Sequence, residues 1–170
     1  MSRTNTLSRV LAVLGVVVGA VVALSASPAQ AEGSAVTHPF YADSGDSCRF
    51  GVSSGTLTWI ARGPLPVTAV DVAGTLTDRP LPNDPSTACR DIRYSSVTFT
   101  AYRGLAVVDS ERQRADNGQV SFRFQLTAMT TVITPIDRVV VQVCRHAPTS
   151  TVPDYCGRAV EYRVPPSPWA

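Results

Sequence analysis

The stretch "GQVSFRFQLT", residues 118–127, decides the fold because apolar and polar side chains alternate along it without interruption. The alternate positions form one apolar and one polar set: Val120, Phe122, Phe124 and Leu126, against Ser121, Arg123, Gln125 and Thr127. In an extended chain, successive side chains point to opposite faces, so this period of two places one set in a core and the other in solvent. We therefore predict a half-buried β-strand here.

The same period recurs along the chain in runs rich in β-branched and aromatic residues, which favour strands. These runs are "GTLTWIAR" (55–62), "VTAVDVAGTLTD" (67–78), "YSSVTFTAYRG" (94–104), "LAVVDSERQ" (105–113), "DRVVVQVCRH" (137–146) and "CGRAVEYRVP" (156–165). No stretch shows the 3.6-residue period of an amphipathic helix. About seven short strands predict an all-β fold, an antiparallel β-sandwich of immunoglobulin-like architecture, with a barrel as the alternative.

Turn signals separate the runs. Asn117-Gly118 tolerates positive φ angles and predicts a tight hairpin that joins 105–113 to 120–127. Proline-rich stretches mark the longer connections, because proline fixes φ and lacks an amide donor. The run 156–165 is predicted to be the hairpin partner of 137–146, across the loop that precedes it.

The first 31 residues read as a secretory signal peptide. Arg3 and Arg9 precede an uncharged apolar run, 10–24, which is shorter than the roughly 20 residues that span a bilayer. Ala29 and Ala31 suit signal peptidase, so the mature chain is expected to begin at Glu32 and to be secreted into the extracellular space. No second apolar run appears near the C-terminus, so we do not predict a membrane anchor.

The mature chain divides into three predicted regions. Residues 32–52 form an N-terminal segment tied by Cys48, residues 53–164 form the β-sandwich domain, and residues 165–170 form a Pro-rich C-terminal tail. A chain of this size suits one hydrophobic core. We expect a monomer.

Charge argues against polyanionic partners. The chain has 15 basic and 13 acidic residues, and all the basic ones are arginines. Loss of Arg3 and Arg9 with the leader makes the mature chain neutral at pH 7, so long-range attraction to nucleic acid or anionic lipid is not expected. We predict neither a nucleic-acid nor a membrane partner.

Four cysteines in a secreted chain predict two disulfides. Three pairings are possible for Cys48, Cys89, Cys144 and Cys156. We favour Cys48–Cys89 with Cys144–Cys156, because the latter two flank a short Pro-containing loop between strand-like runs. A zinc site is not expected, since only Cys144 and His146 lie close together and no metal-ligand spacing is present.

The segment "GVSSG" (51–55) fits the G-x-S-x-G pattern of a hydrolase nucleophile elbow, with Ser53 as the nucleophile. An elbow needs a strand, a sharp turn and then a helix, whereas a strand pattern follows Gly55. His146 and several intervening aspartates complete a nominal Ser…Asp…His order, but almost any chain of this length would allow it. We interpret the segment as a Gly/Ser-rich turn that enters the first strand, and Ser53 as non-catalytic.

The other residues that could form a catalytic or metal site are interpreted as structural or surface residues. His38 lies in a mobile end and His146 beside the disulfide loop, and both are expected to be solvated. "YADSGDSC" (41–48) could hold calcium weakly, yet it lacks the ligand spacing of an EF-hand, so a flexible turn is preferred. Asp109 and Glu111 share one strand face but have no partner at a glycosidase separation. No catalytic, metal or cofactor site is predicted.

The function that the sequence favours is a non-catalytic extracellular binding module for a protein, a polymer or a small molecule. A Pro-stiffened loop closed by cysteines loses little entropy on binding. The candidate interaction residues all lie in this loop or at its edges: Arg145, His146, Pro148, Pro153, Asp154 and Tyr155.

Two alternatives stay open. The first is a small extracellular hydrolase whose site the sequence does not reveal. The second is a proteinase inhibitor that presents Arg90 or Arg145, each beside a cysteine, to a trypsin-like pocket.

Overall fold

The computed structural model describes residues 34–61, 67–79, 92–128 and 135–164, and every regular element in these ranges is a strand. The strands are β1 (Ser34–Asp43), β2 (Gly51–Ala61), β3 (Ala69–Asp78), β4 (Tyr94–Arg103), β5 (Ala106–Ala115), β6 (Gln119–Thr127), β7 (Arg138–His146), β8 (Tyr155–Cys156) and β9 (Val160–Arg163). The all-β prediction is confirmed for this part of the chain. None of the described residues belongs to a helix that could span a membrane.

The strands form two antiparallel sheets. The first sheet has the order β1-β2-β3-β6, and the second has the order β5-β4-β7, with β8 and β9 both paired to β7. The alternation read in residues 118–127 holds over most of β6, where Phe122 and Leu126 are buried while Arg123 and Gln125 are exposed. Val120, which the alternation assigned to the core, is 37 % exposed. The predicted pairing of 156–165 with 137–146 is also confirmed, since Val141 lies opposite Val160.

Apolar side chains from both sheets build one core. The Phe99 ring of β4 lies edge-on to Phe40 of β1, with centroids 5.2 Å apart, and to Phe122 and Phe124 of β6 at 5.4 and 5.3 Å. Such edge-to-face pairs stabilise a core by about 0.5–1.5 kcal/mol each beyond the burial of area. The core contains Trp59, which is also fully buried.

Strand β1 was not identified in the sequence. Residues 34–43 pair with β2 along their whole length, so the first part of the 32–52 segment belongs to the first sheet, and His38 lies opposite Leu57 instead of in a mobile end. Pro39 obscures the strand, because proline cannot donate to a sheet ladder and is tolerated only at an edge. An edge is where β1 lies.

Two strands carry glycines at paired positions, because their backbones lie close to an aromatic ring. Gly55 of β2 lies opposite Gly74 of β3, and the Phe40 ring covers both. A Cβ atom at Gly55 would lie 2.1 Å from the Ala73 carbonyl oxygen and 2.9 Å from the Phe40 ring. Residues 51–55 are therefore part of a strand, and the expectation of a turn there is wrong.

Asn117-Gly118 does not close a hairpin between paired strands. It connects β5 in the second sheet to β6 in the first, so the hairpin prediction is wrong. Asn117 does adopt a positive φ of 50°. The Asn117 amide donates to the Asp78 carboxylate at 2.8 Å, and the Asp78 amide donates to the Gly118 carbonyl at 2.7 Å. These bonds dock the turn on the end of β3 and direct the chain across the core.

One of the two predicted disulfides is present among the described residues. Cys144 and Cys156 lie opposite each other in β7 and β8 and form a bridge. Cys89 lies outside the described residues, so the bridge from Cys48 to Cys89 stays a prediction. The predicted signal peptide (1–31) and the C-terminal tail (165–170) also lie outside them.

Candidate functional site

The loop that follows β7, residues 147–154, is closed at its base by the disulfide between Cys144 and Cys156. The Asp154 amide donates to the Arg145 carbonyl at 2.8 Å, which narrows the base further. Inside the loop, the Ser150 amide donates to the Ala147 carbonyl at 3.0 Å, and the Val152 amide donates to the Ser150 hydroxyl at 3.1 Å. The loop therefore has internal order of its own.

Two contacts hold the 147–154 loop against the chain that enters β4. The Tyr94 hydroxyl donates to the Ser150 carbonyl at 2.7 Å, and Arg93 forms an ion pair with Asp154 at 2.6 Å. Two apolar side chains are left in solvent beside these contacts: Val152 is 70 % exposed and Ile92 is 68 % exposed. The loop is thus anchored while its apolar groups stay accessible.

The structure divides the candidate interaction residues into two groups. Pro148, Pro153, Asp154 and Tyr155 are exposed, as an interaction loop requires. Arg145 and His146 are buried at 1 % exposure each, so neither contributes to the surface of the loop. The expectation of a solvated His146 is corrected, because its ring lies on the outer face of β7 beneath the loop.

Arg145 points in the opposite direction, into the space between the two sheets. Its guanidinium donates to the carboxylate of Asp78 and to the Ser95 hydroxyl, and its second terminal nitrogen donates to the Arg93 carbonyl at 2.8 Å. Ser95 also donates to Asp78 at 2.8 Å. A side chain held in this way cannot enter a protease pocket. Arg145 is therefore no longer a candidate for the residue that a proteinase inhibitor would present. The other inhibitor candidate, Arg90, lies outside the described residues.

His146 is held by aromatic stacking and one hydrogen bond. Its ring is parallel to that of Tyr94, with centroids 4.7 Å apart, and its Nε2 is 2.7 Å from the Ser96 hydroxyl. Burial lowers the pKa of His146 below 6.5, and the positive charge of Arg112 lowers it further. The Val152 backbone and Asp154 have smaller, opposing effects on this pKa, and Arg114 lowers it least. The ring is therefore neutral at pH 7.

Ser96 and His146 have the separation of a nucleophile and its base. However, Ser96 is only 2 % exposed, and Nδ1 of His146 has no hydrogen bond of ordinary geometry in the described part of the chain. A catalytic triad needs a third group on that nitrogen to orient the ring. With the loop closed, the pair has no access to substrate, and none of the described carboxylates bonds to Nδ1 of His146.

The other sequence candidates have structural partners. Ser53 is fully buried within β2, where its hydroxyl donates to the Thr75 carbonyl at 3.0 Å. Asp43 and Asp46 accept backbone amides in the turn after β1, from Gly45 at 2.9 Å and from Phe50 at 3.1 Å. No group of potential metal ligands is present among the described residues.

The two carboxylates of β5, Asp109 and Glu111, also accept hydrogen bonds within the protein. Asp109 accepts the Thr127 amide at 2.8 Å, which ties β5 to the end of β6. Glu111 accepts a bond from the Gln113 side chain at 3.3 Å.

A groove on the outward side of the first sheet was missed by sequence reasoning. It has a volume of about 360 Å³, and its lining includes outward-pointing residues of three strands: Thr56, Thr58, Asp71, Ala73, Arg123 and Gln125. The alternation in residues 118–127 assigned Arg123 and Gln125 to the outward side. Only the register shows that the lining residues of the three strands meet, because Thr56 lies opposite Ala73 and Ala73 opposite Arg123.

The chain matches no protein-family model, and comparison with curated proteins and with solved structures finds no similar protein. Any statement of function therefore depends on the chemistry of these surfaces.

Proposed function

We propose that this protein is a small secreted binding module, monomeric and non-catalytic, that acts outside the cell after removal of residues 1–31. The composition of the leader, the paired cysteines and the neutral mature chain support this proposal. The recognition surface that we propose is the 147–154 loop together with Ile92.

The scaffold that we propose for this surface is a β-sandwich of immunoglobulin-like architecture. Two antiparallel sheets that share one core support it. The strand order differs from that of an immunoglobulin constant domain, in which the fifth strand lies beside the second. Here β3 lies beside β2, so the likeness that we propose is one of layers and not of connectivity.

The observation that carries the proposal is the contrast between the anchored backbone of the loop and its exposed apolar side chains. Tyr94 and Arg93 hold the loop at Ser150 and Asp154, while Val152 lies in solvent. Anchoring before binding reduces the entropy lost in a complex. Exposed apolar groups on an ordered loop are the groups that a protein partner can bury.

The test is capture of secreted proteins from the medium by the immobilised full chain, followed by affinity measurement with each purified partner. Val152→Asp should weaken a specific complex by about tenfold or more, since it places a charge in a buried contact. Leu105→Asp is the matched control, because Leu105 is an exposed apolar residue in the turn between β4 and β5, away from the loop. A complex that is weakened equally by both substitutions would refute the loop as the recognition surface.

A small extracellular hydrolase is the second candidate, favoured by the 2.7 Å contact between Ser96 and His146. This function would require the 147–154 loop to open, because Tyr94 stacks on His146 and binds Ser150 in the loop. Labelling by a serine-directed reagent separates the two candidates.

A further inference from the structure

The outward face of the first sheet carries many short polar side chains. The register aligns them in rows across the four strands, each row with one residue from β1, β2, β3 and β6. Three adjacent rows consist mainly of short polar side chains: Thr37–Thr58–Asp71–Gln125, Pro39–Thr56–Ala73–Arg123 and Tyr41–Ser54–Thr75–Ser121. The face is therefore broad and rich in hydroxyl groups.

The groove arises because a small residue lies among longer ones. Ala73 has only a methyl group, and its neighbours in the sheet are Thr56 on one side and Arg123 on the other. The resulting volume of 360 Å³ lies at the lower end of the roughly 300–1,000 Å³ that is typical of small-ligand clefts. It suits a short segment of a ligand that extends beyond the groove.

The polar groups of the groove are set in defined positions. Gln125 donates to one carboxylate oxygen of Asp71 at 2.7 Å, which orients the carboxylate. Arg123 has no ion pair with any described carboxylate, although Asp71 lines the same groove. The groove thus offers a guanidinium donor, a carboxylate acceptor and threonine hydroxyls that can act as either.

The charges of the groove indicate the class of ligand. Asp71 and Arg123 carry opposite single charges, so the groove has no net charge at pH 7. An anionic or cationic polymer would meet one repulsive group, whereas adjacent hydroxyl groups can donate to a carboxylate and accept from a guanidinium at the same time. Vicinal hydroxyls of this kind are the recurring feature of neutral sugars.

An aromatic ring lies on the same face at a distance suited to a chain of sugars. Tyr41 is 46 % exposed, and its hydroxyl donates to Asp43 at 3.2 Å, which restrains the ring. Tyr41 in β1 and Arg123 in β6 are separated by three strand spacings, about 14 Å, across the sheet and by two residues, about 7 Å, along the strands. A tyrosine ring has an apolar face and a polar hydroxyl at its tip. The apolar face can pack against the C–H groups of a sugar ring while the hydroxyl stays in contact with water.

We propose that the outward face of the first sheet binds a neutral polysaccharide, with one sugar unit in the groove between Asp71 and Arg123 and the chain crossing the strands toward Tyr41. This site is separate from the recognition loop on the second sheet and does not depend on it. The sheet backbone is already ordered, so little conformational entropy is lost when the polysaccharide binds.

The experiment measures binding of the exported full chain to cellulose, chitin and starch by co-sedimentation, with alginate as an anionic comparison. We expect saturable binding to at least one neutral polymer, weakened roughly tenfold or more by Arg123→Ala and by Asp71→Ala, because each substitution removes a charged hydrogen-bonding group. Ala73→Phe should also weaken binding, since it fills the groove while it keeps both charges.

The matched control is Thr77→Ala, on the same face but outside the groove. It should bind as the wild type does, and so should Val152→Asp, which tests the loop independently. No binding to any of the three neutral polymers would overturn the proposal. Binding that survives Arg123→Ala and Ala73→Phe, or binding to alginate alone, would overturn it as well.

Discussion

Arg145 of the second sheet forms an ion pair with Asp78 of the first, and both side chains are at most 1 % exposed. Removal of one member of a buried pair leaves the other charge without its partner, at a cost of about 3–5 kcal/mol. Arg145→Met should therefore lower the free energy of unfolding by about that amount. Urea denaturation of the wild type and the variant measures the difference.

Two further variants make this prediction specific. Asp116→Asn removes an ion pair with Arg114 in which both side chains are about half exposed, and its cost should stay below about 1 kcal/mol. The double variant Asp78→Asn with Arg145→Met should recover part of the loss, because it removes both buried charges and keeps a side-chain oxygen for the Asn117 amide. If Arg145→Met costs no more than Asp116→Asn, the pair does not hold the sheets together.

The stability of the protein should fall as the pH falls below about 6.5, because the pKa of His146 is lowered in the folded state by burial and then by Arg112. Between the folded and unfolded pKa values the unfolded chain binds more protons, so acid favours unfolding. His146→Phe keeps an aromatic ring on Tyr94 and removes the titration. Thermal melts from pH 7.5 to 5.5 should show a smaller decrease for this variant, and parallel decreases would contradict the assignment.

The Cys144–Cys156 bridge closes a loop with a sequence separation of 12, and loss of such a bridge costs about 3 kcal/mol through loop-closure entropy. The double variant Cys144→Ser with Cys156→Ser should lose that amount in urea denaturation and should also capture partners less well. Ser150→Ala is the control, since it keeps the bridge and removes only a hydroxyl within the loop. A loss below about 1 kcal/mol in the double variant would show that strand pairing alone holds the loop.

Ser96 should resist fluorophosphonate reagents, because it is buried and no carboxylate in the described ranges bonds to Nδ1 of His146, the base beside it. Intact mass spectrometry after incubation with excess reagent should show the unmodified chain, with a known serine hydrolase as the positive control. A stoichiometric adduct that disappears in Ser96→Ala would instead establish the hydrolase function.

Local patterns predicted the parts of the fold that depend on one strand at a time. In β6 the alternation identified most of the buried side chains, since a period of two follows from backbone geometry alone, but Val120, which it assigned to the core, is 37 % exposed. The bridge between Cys144 and Cys156 was also predictable, because only a short loop separates the two cysteines. The site on the first sheet was predictable only in part: Arg123 and Gln125 were assigned to solvent, but not to a shared groove.

The predictions failed where residues far apart in the sequence determine the path of the chain or the burial of a side chain. Asn117-Gly118 has the φ angle of a hairpin turn, yet its hydrogen bonds to Asp78 direct the next strand to the other sheet. Arg145 and His146 are polar types at the end of a strand and were expected in solvent. They are buried because Asp78 and Tyr94, far away in the sequence, provide a charge partner and a stacking surface.

The sequence by itself determined that this chain forms β-strands, which face of most strands is buried, and that Cys144 and Cys156 can pair. These properties depend on side-chain alternation and on short sequence separations. Only the tertiary structure decided which strands share a sheet, that Arg145 and Asp78 meet between the sheets, and that Asp71 and Arg123 line one groove. Strand order and register depend on many long-range contacts at once, and a local pattern contains no record of them.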